Sequence, residues 1–365
     1  MMKLVVIGFI ASLLLALLIT PWVKRISLWF GSVAVPNHRS MHRTVMPQMG
    51  GLAMFISFVA VFAAMAPFVE LPIKPFVGIV LGAAVVELVG VLDDRFALKP
   101  SRKLLGQMVA AGIVVLFDVR IEVFTNPFGS SWFGLEGWTE WLAVPLTVVW
   151  IVGVSNAMNY IDGLDGLAAG VSAIATGSIL VMALFMGNWV VVLVCAILLG
   201  SILGFLPFNF YPAKLFMGDS GSLFLGFMLA SLSVFGFKQI TLLSFIAPMV
   251  ILGVPLSDTL LATIRRWMNK VPIFRADKGH IHHNLMNLGF SMRSTVLIMY
   301  AVALFFGVSA IVLAKAPLIG KLLILLLVVL VVQAGAELVG AVKGGKPVLN
   351  MLLRLFGRSK PHGGS

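Results

Sequence analysis

Residues 166–206 read GLAAGVSAIATGSILVMALFMGNWVVVLVCAILLGSILGFL, 41 positions without one Asp, Glu, Lys or Arg. The turn-forming pair Gly187-Asn188 divides this stretch into apolar runs at 166–186 and 189–206. Each approaches the ~20 residues that carry a helix across the hydrocarbon core of a bilayer. Reading outward, further apolar runs fall at 4–23, 51–66, 76–92, 104–116, 142–158, 221–236, 241–264, 295–314 and 318–339, which makes eleven. Composition agrees: of 365 residues 60% are hydrophobic and 11% charged, against about 25% charged in an ordinary soluble domain. The expected fold is an all-α polytopic membrane protein of about eleven transmembrane helices. A soluble enzyme, a disordered chain and a nucleic-acid-binding module are excluded.

The net charge of +12 is spread over short loops between apolar runs, so it reads as a topology signal and not as a nucleic-acid footprint. One set of loops, with the tail 341–365, carries 20 of the 26 Lys and Arg residues, among them Arg43, Lys103, Arg265 and Arg266. The opposite set carries 6: Lys3, Lys74, Arg120, Lys238, Lys315 and Lys321. The positive-inside rule therefore places the N-terminus outside and the C-terminus in the cytoplasm. Lys24 and Arg25 follow the first run directly and no small-residue cleavage pattern precedes them, so that run reads as a retained span. The single cysteine, Cys195, lies in an apolar run and offers neither a disulfide nor a thiolate metal site.

Polar residues that stand out against this background all fall at the basic ends of spans or in the basic loops. Asp93-Asp94 closes the third run. Adjacent carboxylates repel, so they call for a divalent cation, a base role or surrounding water. Lys103 opens the fourth run, where a point cation can meet a phosphate. Asn156-Ala-Met-Asn159-Tyr-Ile-Asp162-Gly-Leu-Asp165-Gly-Leu repeats amide and carboxylate groups every third residue, which on a helix follow one slowly drifting face. A short interhelical turn explains two such residues, hardly four. Phe216-Met-Gly-Asp219-Ser-Gly-Ser222 adds another carboxylate, although Gly-Asp-Ser-Gly is also an ordinary helix start.

The longest basic loop, 265–294, carries Arg275-Ala-Asp-Lys278-Gly-His280-Ile-His282-His283. Its histidines could bind zinc, but their basic neighbours favour an anion such as a diphosphate. Asp258 sits inside the ninth run, where an isolated charge costs about 2.5–3.5 kcal/mol at mid-depth. Either the helix breaks at Pro255 or the carboxylate faces a polar interior. Glu87 and Glu337 read equally well as hydrogen-bonded core groups and are left outside the site. A transporter of anionic solutes and a zinc-dependent intramembrane hydrolase are the rival classes. The first predicts a midplane site and internal repeats, and no repeat is evident.

In this order, Asp93-Asp94, Asn156-x-x-Asn159-x-x-Asp162-Gly-Leu-Asp165-Gly-Leu, Phe216-Met-Gly-Asp219 and His280-Ile-His282-His283 resemble the polyprenyl-phosphate N-acetylhexosamine-1-phosphate transferases over about residues 36–290. The resemblance implies a Mg²⁺-dependent enzyme, with Mn²⁺ as a substitute. It moves a sugar-1-phosphate from a UDP-sugar to undecaprenyl phosphate at the cytoplasmic face of the bacterial inner membrane and releases UMP. The His-Ile-His-His form resembles the branch that makes undecaprenyl-diphosphate N-acetylglucosamine for cell-surface glycans. The phospho-N-acetylmuramyl-pentapeptide branch typically has three consecutive histidines. UDP-GlcNAc, undecaprenyl phosphate and the lipid bilayer are then the expected partners, and a homodimer is an open option.

Carried onto this chain, the resemblance makes 1–340 one transmembrane catalytic domain. Asp219 becomes the metal ligand, with Asp162, and Asp93, Asp94 and Asp162 become the catalytic candidates. Phe216 would stack on uracil, Asn209 would belong to the nucleotide pocket, Asn159 and Asp165 would lie near the uridine and metal, and Asn156 is a further substrate-binding candidate. Lys103, Arg266, His280, His282 and His283 would grip the phosphates, with Arg43 near the nucleotide.

Overall fold

The computed structural model describes residues 1–35, 45–121, 136–236, 242–271, 279–341 and 347–348. Thirteen helices account for nearly all regular structure among them: α1 (Met2–Phe30), α2 (Gly50–Met65), α3 (Ile73–Phe96), α4 (Pro100–Leu116), α5 (Glu136–Ile161), α6 (Leu167–Phe185), α7 (Trp189–Asn209), α8 (Gly218–Gly236), α9 (Leu242–Ile251), α10 (Gly253–Met268), α11 (Ile281–Asn287), α12 (Met292–Lys315) and α13 (Leu318–Val339). A two-residue antiparallel ladder, β1 (Val33–Ala34) with β2 (Met46–Pro47), joins α1 to α2.

Every apolar run of the sequence coincides with a helix or a pair of helices. Among the described residues nine helices are long and apolar enough to cross a membrane: α1, α2, α3, α5, α6, α7, α8, α12 and α13. The two remaining runs are the 17-residue α4 and the pair α9 and α10, of 10 and 16 residues. The break in this pair falls at Leu252. Pro255 has no N–H to give the carbonyl of Ile251, and its ring crowds that turn. The expected interruption of the ninth run is therefore present, three residues before the proline. Between α6 and α7 the Asn188 side chain accepts from Val191 N–H at 3.3 Å, which caps α7 at the turn read from Gly187-Asn188.

α8 is the innermost of the spanning helices. In its membrane window 83% of the residues are buried, against 22% for α1 and α13, whose outer faces are left for lipid. α2, α3, α5, α6 and α7 all pack on it. α1 lays a stripe of small residues, Gly8, Ser12, Ala16, Thr20 and Ser27, against the bundle, chiefly α7. Small residues suit close helix contacts in lipid, where packing and not water exclusion drives association.

The start of α8 is closely packed by the backbone of its neighbours. A Cβ on Gly51 of α2 would stand 2.1 Å from Gly221 N, and one on Gly90 of α3 would stand 2.3 Å from Ser220 Cα. Two backbones thus clasp the first turn of α8 from both sides. Gly51→Ala and Gly90→Ala are each expected to lower the thermal midpoint in detergent by the equivalent of about 1–3 kcal/mol of overpacking. Gly112→Ala, whose Cβ meets nothing within 4 Å among the described residues, is expected to leave it unchanged. Equal midpoints for the three variants would refute the clasp.

Candidate active site

The first turn of a buried helix carries N–H groups with no partner inside the helix. At α8 the last turn of α3 supplies them with acceptors. Asp94 Oδ1 accepts from Asp219 N–H at 2.7 Å, and Oδ2 accepts from Ser220 N–H at 3.1 Å and from the Ser220 hydroxyl at 2.8 Å. Gly218, at φ 72°, leaves room for this carboxylate, since a Cβ there would lie 2.4 Å from Oδ2. Asp94 is thus a cap supplied from another helix.

With its backbone held in this way, Asp219 turns its carboxylate toward α4 and α5. One oxygen pairs with the Lys103 ammonium, and the other accepts from Asn159 Nδ2 at 2.8 Å. Asn159 Nδ2 also reaches Ser222 Oγ at 2.8 Å. Lys103 lies 3.5 Å from Asp93 Oδ2 and donates to Asn159 Oδ1 at 3.4 Å. Asp93 Oδ1 takes the Leu98 N–H at 2.8 Å, which fixes the turn from α3 into α4. Deeper along α4 and α5, Asn156 Nδ2 donates to Gln107 Oε1 at 2.6 Å.

Burial pulls the Lys103 ammonium below the usual lysine range, and the charges of Asp93 and Asp94 oppose that shift. Asp162, in the turn between α5 and α6, receives no hydrogen bond among the described residues. Burial first, and then the Asp94 and Asp165 charges, push its carboxyl up to about 7. Three carboxylates, Asp93, Asp94 and Asp219, thus share the neighbourhood of one ammonium, and Asp162 feels the charge of Asp94 beside them. A hard-oxygen site that lacks positive charge fits Mg²⁺, which takes one or two protein carboxylates and completes its shell with water and phosphate oxygens. Among the described residues no three His, Cys, Asp or Glu side chains are grouped to hold a metal by themselves.

Asp165 and Asn209 are buried between the 162–166 turn and the segment that leads into α8. Asp165 Oδ2 accepts from Ala213 N–H at 2.9 Å, while Asn209 accepts from Gly166 N–H and donates to Leu215 O, both at 3.1 Å. The same segment carries Phe216. Its N–H goes to Pro47 O at 2.9 Å and its carbonyl accepts from Gly50 N–H at 3.0 Å, which leaves the ring half-buried.

The histidines start α11. His280 Nδ1 meets Asp258 Oδ2 at 2.7 Å, and Ile281 N–H donates to Asp258 Oδ1 at 2.7 Å. His280 stacks at 6.0 Å on Tyr160, in the last turn of α5, and at 5.8 Å on His282. Among the described residues the buried His282 ring has no hydrogen-bond partner on either nitrogen, and its Nε2 lies 2.5 Å from where a Cβ on Gly163 would stand. Burial, reinforced by His283 and His280 against the pull of Asp258, lowers its pKa to about 3, so it is neutral throughout the physiological range. His283 packs on it at 4.3 Å. Arg266 is half-buried near the end of α10. Its neighbour Arg265 donates to Gly279 O at 2.7 Å and Val339 O at 3.2 Å, which ties this segment to the end of α13.

The structure therefore joins Asp93, Asp94, Lys103, Asn159 and Asp219 directly and Asn156 through the layer beneath. The 162–166 turn and the histidines lie alongside, while Arg43 lies outside the described residues. Sequence reasoning omitted Gln107, Ser220, Ser222 and Arg265 and left Asp258 outside the site. Gln107 had one signal, its position four residues after Lys103 on the same helix face.

Comparison with known proteins tests the family. Residues 76–237 match the model of glycosyl transferase family 4. A probable undecaprenyl-phosphate N-acetylglucosaminyl 1-phosphate transferase of Bacillus subtilis is 44% identical over 357 residues, 97% of this chain and 98% of that protein. A decaprenyl-phosphate N-acetylglucosaminephosphotransferase of Mycobacterium tuberculosis is 36% identical over 82% of this chain and 79% of its own length. A phospho-N-acetylmuramoyl-pentapeptide-transferase of a Geobacillus strain is 32% identical over 83% and 94%. With identity higher to the N-acetylglucosamine relatives and nearly full coverage of one of them, the chain belongs to the polyprenyl-phosphate N-acetylhexosamine-1-phosphate transferase family, in its N-acetylglucosamine-1-phosphate branch.

Proposed function

We propose that this protein transfers N-acetylglucosamine-1-phosphate from UDP-GlcNAc to undecaprenyl phosphate, giving undecaprenyl-diphosphate-GlcNAc and UMP. The observation that carries this reading is the sharing of one ammonium, Lys103, by Asp93 and Asp219 beside the uncompensated Asp162. The names of the relatives suggest the sugar and a polyprenyl phosphate acceptor. Eleven spans with the basic loops inside would place this cluster at the cytoplasmic face of the inner membrane, where a soluble nucleotide and a lipid headgroup can meet.

The acceptor phosphate attacks the β-phosphorus of the donor and UMP leaves, so the reaction joins two anions and needs charge neutralised at the phosphates. Asp219, with Asp162, would hold Mg²⁺, which supplies positive charge to the diphosphate and to departing UMP. Lys103 adds a point cation on the acceptor side. A phosphate monoester has a second pKa of about 6, so the acceptor is largely dianionic near neutral pH and attacks directly. Asp93 orients it and takes a residual proton, whereas Asp94 acts by holding the first turn of α8. Phe216 offers a half-buried ring to uracil, and the histidines face the sugar diphosphate.

Purified protein with Mg²⁺, undecaprenyl phosphate and UDP-GlcNAc is expected to release UMP only when the lipid is present, and EDTA is expected to abolish release. Asp219→Ala should lower the rate at least about a hundredfold, the scale for loss of a group that compensates developing charge. No UMP from folded protein with any UDP-N-acetylhexosamine would return an anionic-solute transporter to first place. Lys103→Met should cost a similar factor. Lys103→Arg should not restore it, since a planar fork does not replace a compact ammonium wedged between two carboxylates.

The aspartate pair separates by stability. Asp94→Asn replaces one of two accepting oxygens with a donor facing Ser220, so its thermal midpoint should fall by the equivalent of about 1 kcal/mol, as for a lost cap. Asp93→Asn keeps an acceptor for Leu98 N–H and should hold the wild-type midpoint while losing activity. The reverse order of midpoints would exchange these two roles.

A further inference from the structure

Asp258 has no exposed surface and lies six residues beyond the break between α9 and α10. A carboxylate so placed needs hydrogen-bond donors on both oxygens. It finds two on α11: the Ile281 N–H on Oδ1 and the His280 ring on Oδ2, each at 2.7 Å. An ionised carboxylate only accepts, so the shared proton sits on His280 Nδ1. That choice leaves Nε2 as the ring atom able to carry a second proton, with the resulting imidazolium neutralised by Asp258. Tyr160 and His282 flank the ring on its faces, which restricts its rotation. The ring is thereby anchored beside the end of α5, next to the turn that bears Asp162.

From this geometry we infer that Asp258 is a positioning residue of the transferase. It acts through His280, by fixing the proton on Nδ1 and presenting a charge-assisted N–H at Nε2 to the sugar diphosphate. The inference rests on the proposed reaction for its consequence but not for its geometry. A residue that orients another in this way is worth about 10–100-fold when removed. Asp258→Asn keeps an acceptor for Ile281 N–H, so α11 stays docked, but it can no longer accept from the ring and support the imidazolium together.

The test combines kinetics with a measurement on the native chain. Asp258→Asn is expected to lower kcat/KM for UMP release about 10–100-fold, and His280→Gln by a comparable factor. Adding Asp258→Asn to His280→Gln should cost no more than about twofold further, because two residues that act as one unit are non-additive. Full multiplication of the two losses would mean that Asp258 only docks α11, and would overturn the inference. Independently, nitrogen NMR of ¹⁵N-histidine-labelled wild-type protein in detergent, with His280 assigned by its loss in His280→Gln, is expected to show a protonated Nδ1. A bare Nδ1 in the wild-type protein overturns the inference whatever the kinetics of Asp258→Asn. Should wild-type protein release no UMP, the transferase reading falls and the spectrum still decides the pairing.

Discussion

The arrangement depends on a helix start enclosed by its neighbours, with Ser220 buried and Gly218 and Asp219 partly so. α8 runs through the middle of the bundle, and its first turn must find acceptors for N–H groups that the helix cannot satisfy. Asp94 provides them from α3, at 2.7–3.1 Å. The approach this requires is so close that α2 and α3 present glycines to it. With the backbone of Asp219 fixed, its carboxylate points toward Lys103 and Asn159. A capping interaction that would be unremarkable on a soluble helix here sets the register of four elements and the direction of the candidate metal ligand.

The second constraint is electrostatic. Asp93, Asp94 and Asp219 gather around one ammonium, and Asp162 beside them is pushed up to about 7 by burial and by the charges of Asp94 and Asp165. Such an excess of negative charge is unfavourable for the protein alone and suited to a reaction whose substrates arrive with a divalent cation. The histidine side is organised differently. His282 is neutral and buried, and His280 is tied to a carboxylate, so this part of the site offers directed donors and little diffuse charge. The acidic half would suit a cation and the histidine half the phosphate oxygens that come with it.

How much of this was legible in the sequence follows from which interactions are local. The spans could be read because a bilayer demands long apolar runs, and the 41 uncharged residues at 166–206 admit little else. Asp93, Asn159 and Asp219 stood out because a polar group is anomalous on that background. Their division of labour was not legible, because it is set by contacts across large separations in the chain. Asp94 lies 125 residues from the amide it caps, Asn159 lies 60 from Asp219, and Asp258 lies 22 from His280. Asp94 read as a catalytic candidate equal to Asp93, yet its oxygens are occupied by the start of α8. α11 lies in a stretch that reads as loop, because seven residues with four polar positions carry no strong helical period. Its place depends on Asp258 rather than on its own composition.

Asp258 lies just beyond the break that Pro255 makes in the ninth run. An unbroken helix there would need no carboxylate, and an unpaired one at that depth is costly. Pro255 opens the turn after Ile251, α10 begins anew, and the carboxylate on its second turn reaches the start of α11. The break, the buried acid and the histidine segment are therefore one construction. Each part is unfavourable or unstable alone, and together they bring a hydrogen-bonded imidazole to the turn that holds Asp162. The anomalies in the apolar pattern thus lie where the chain departs from the simple requirement of crossing a bilayer in order to build a polar site at its edge.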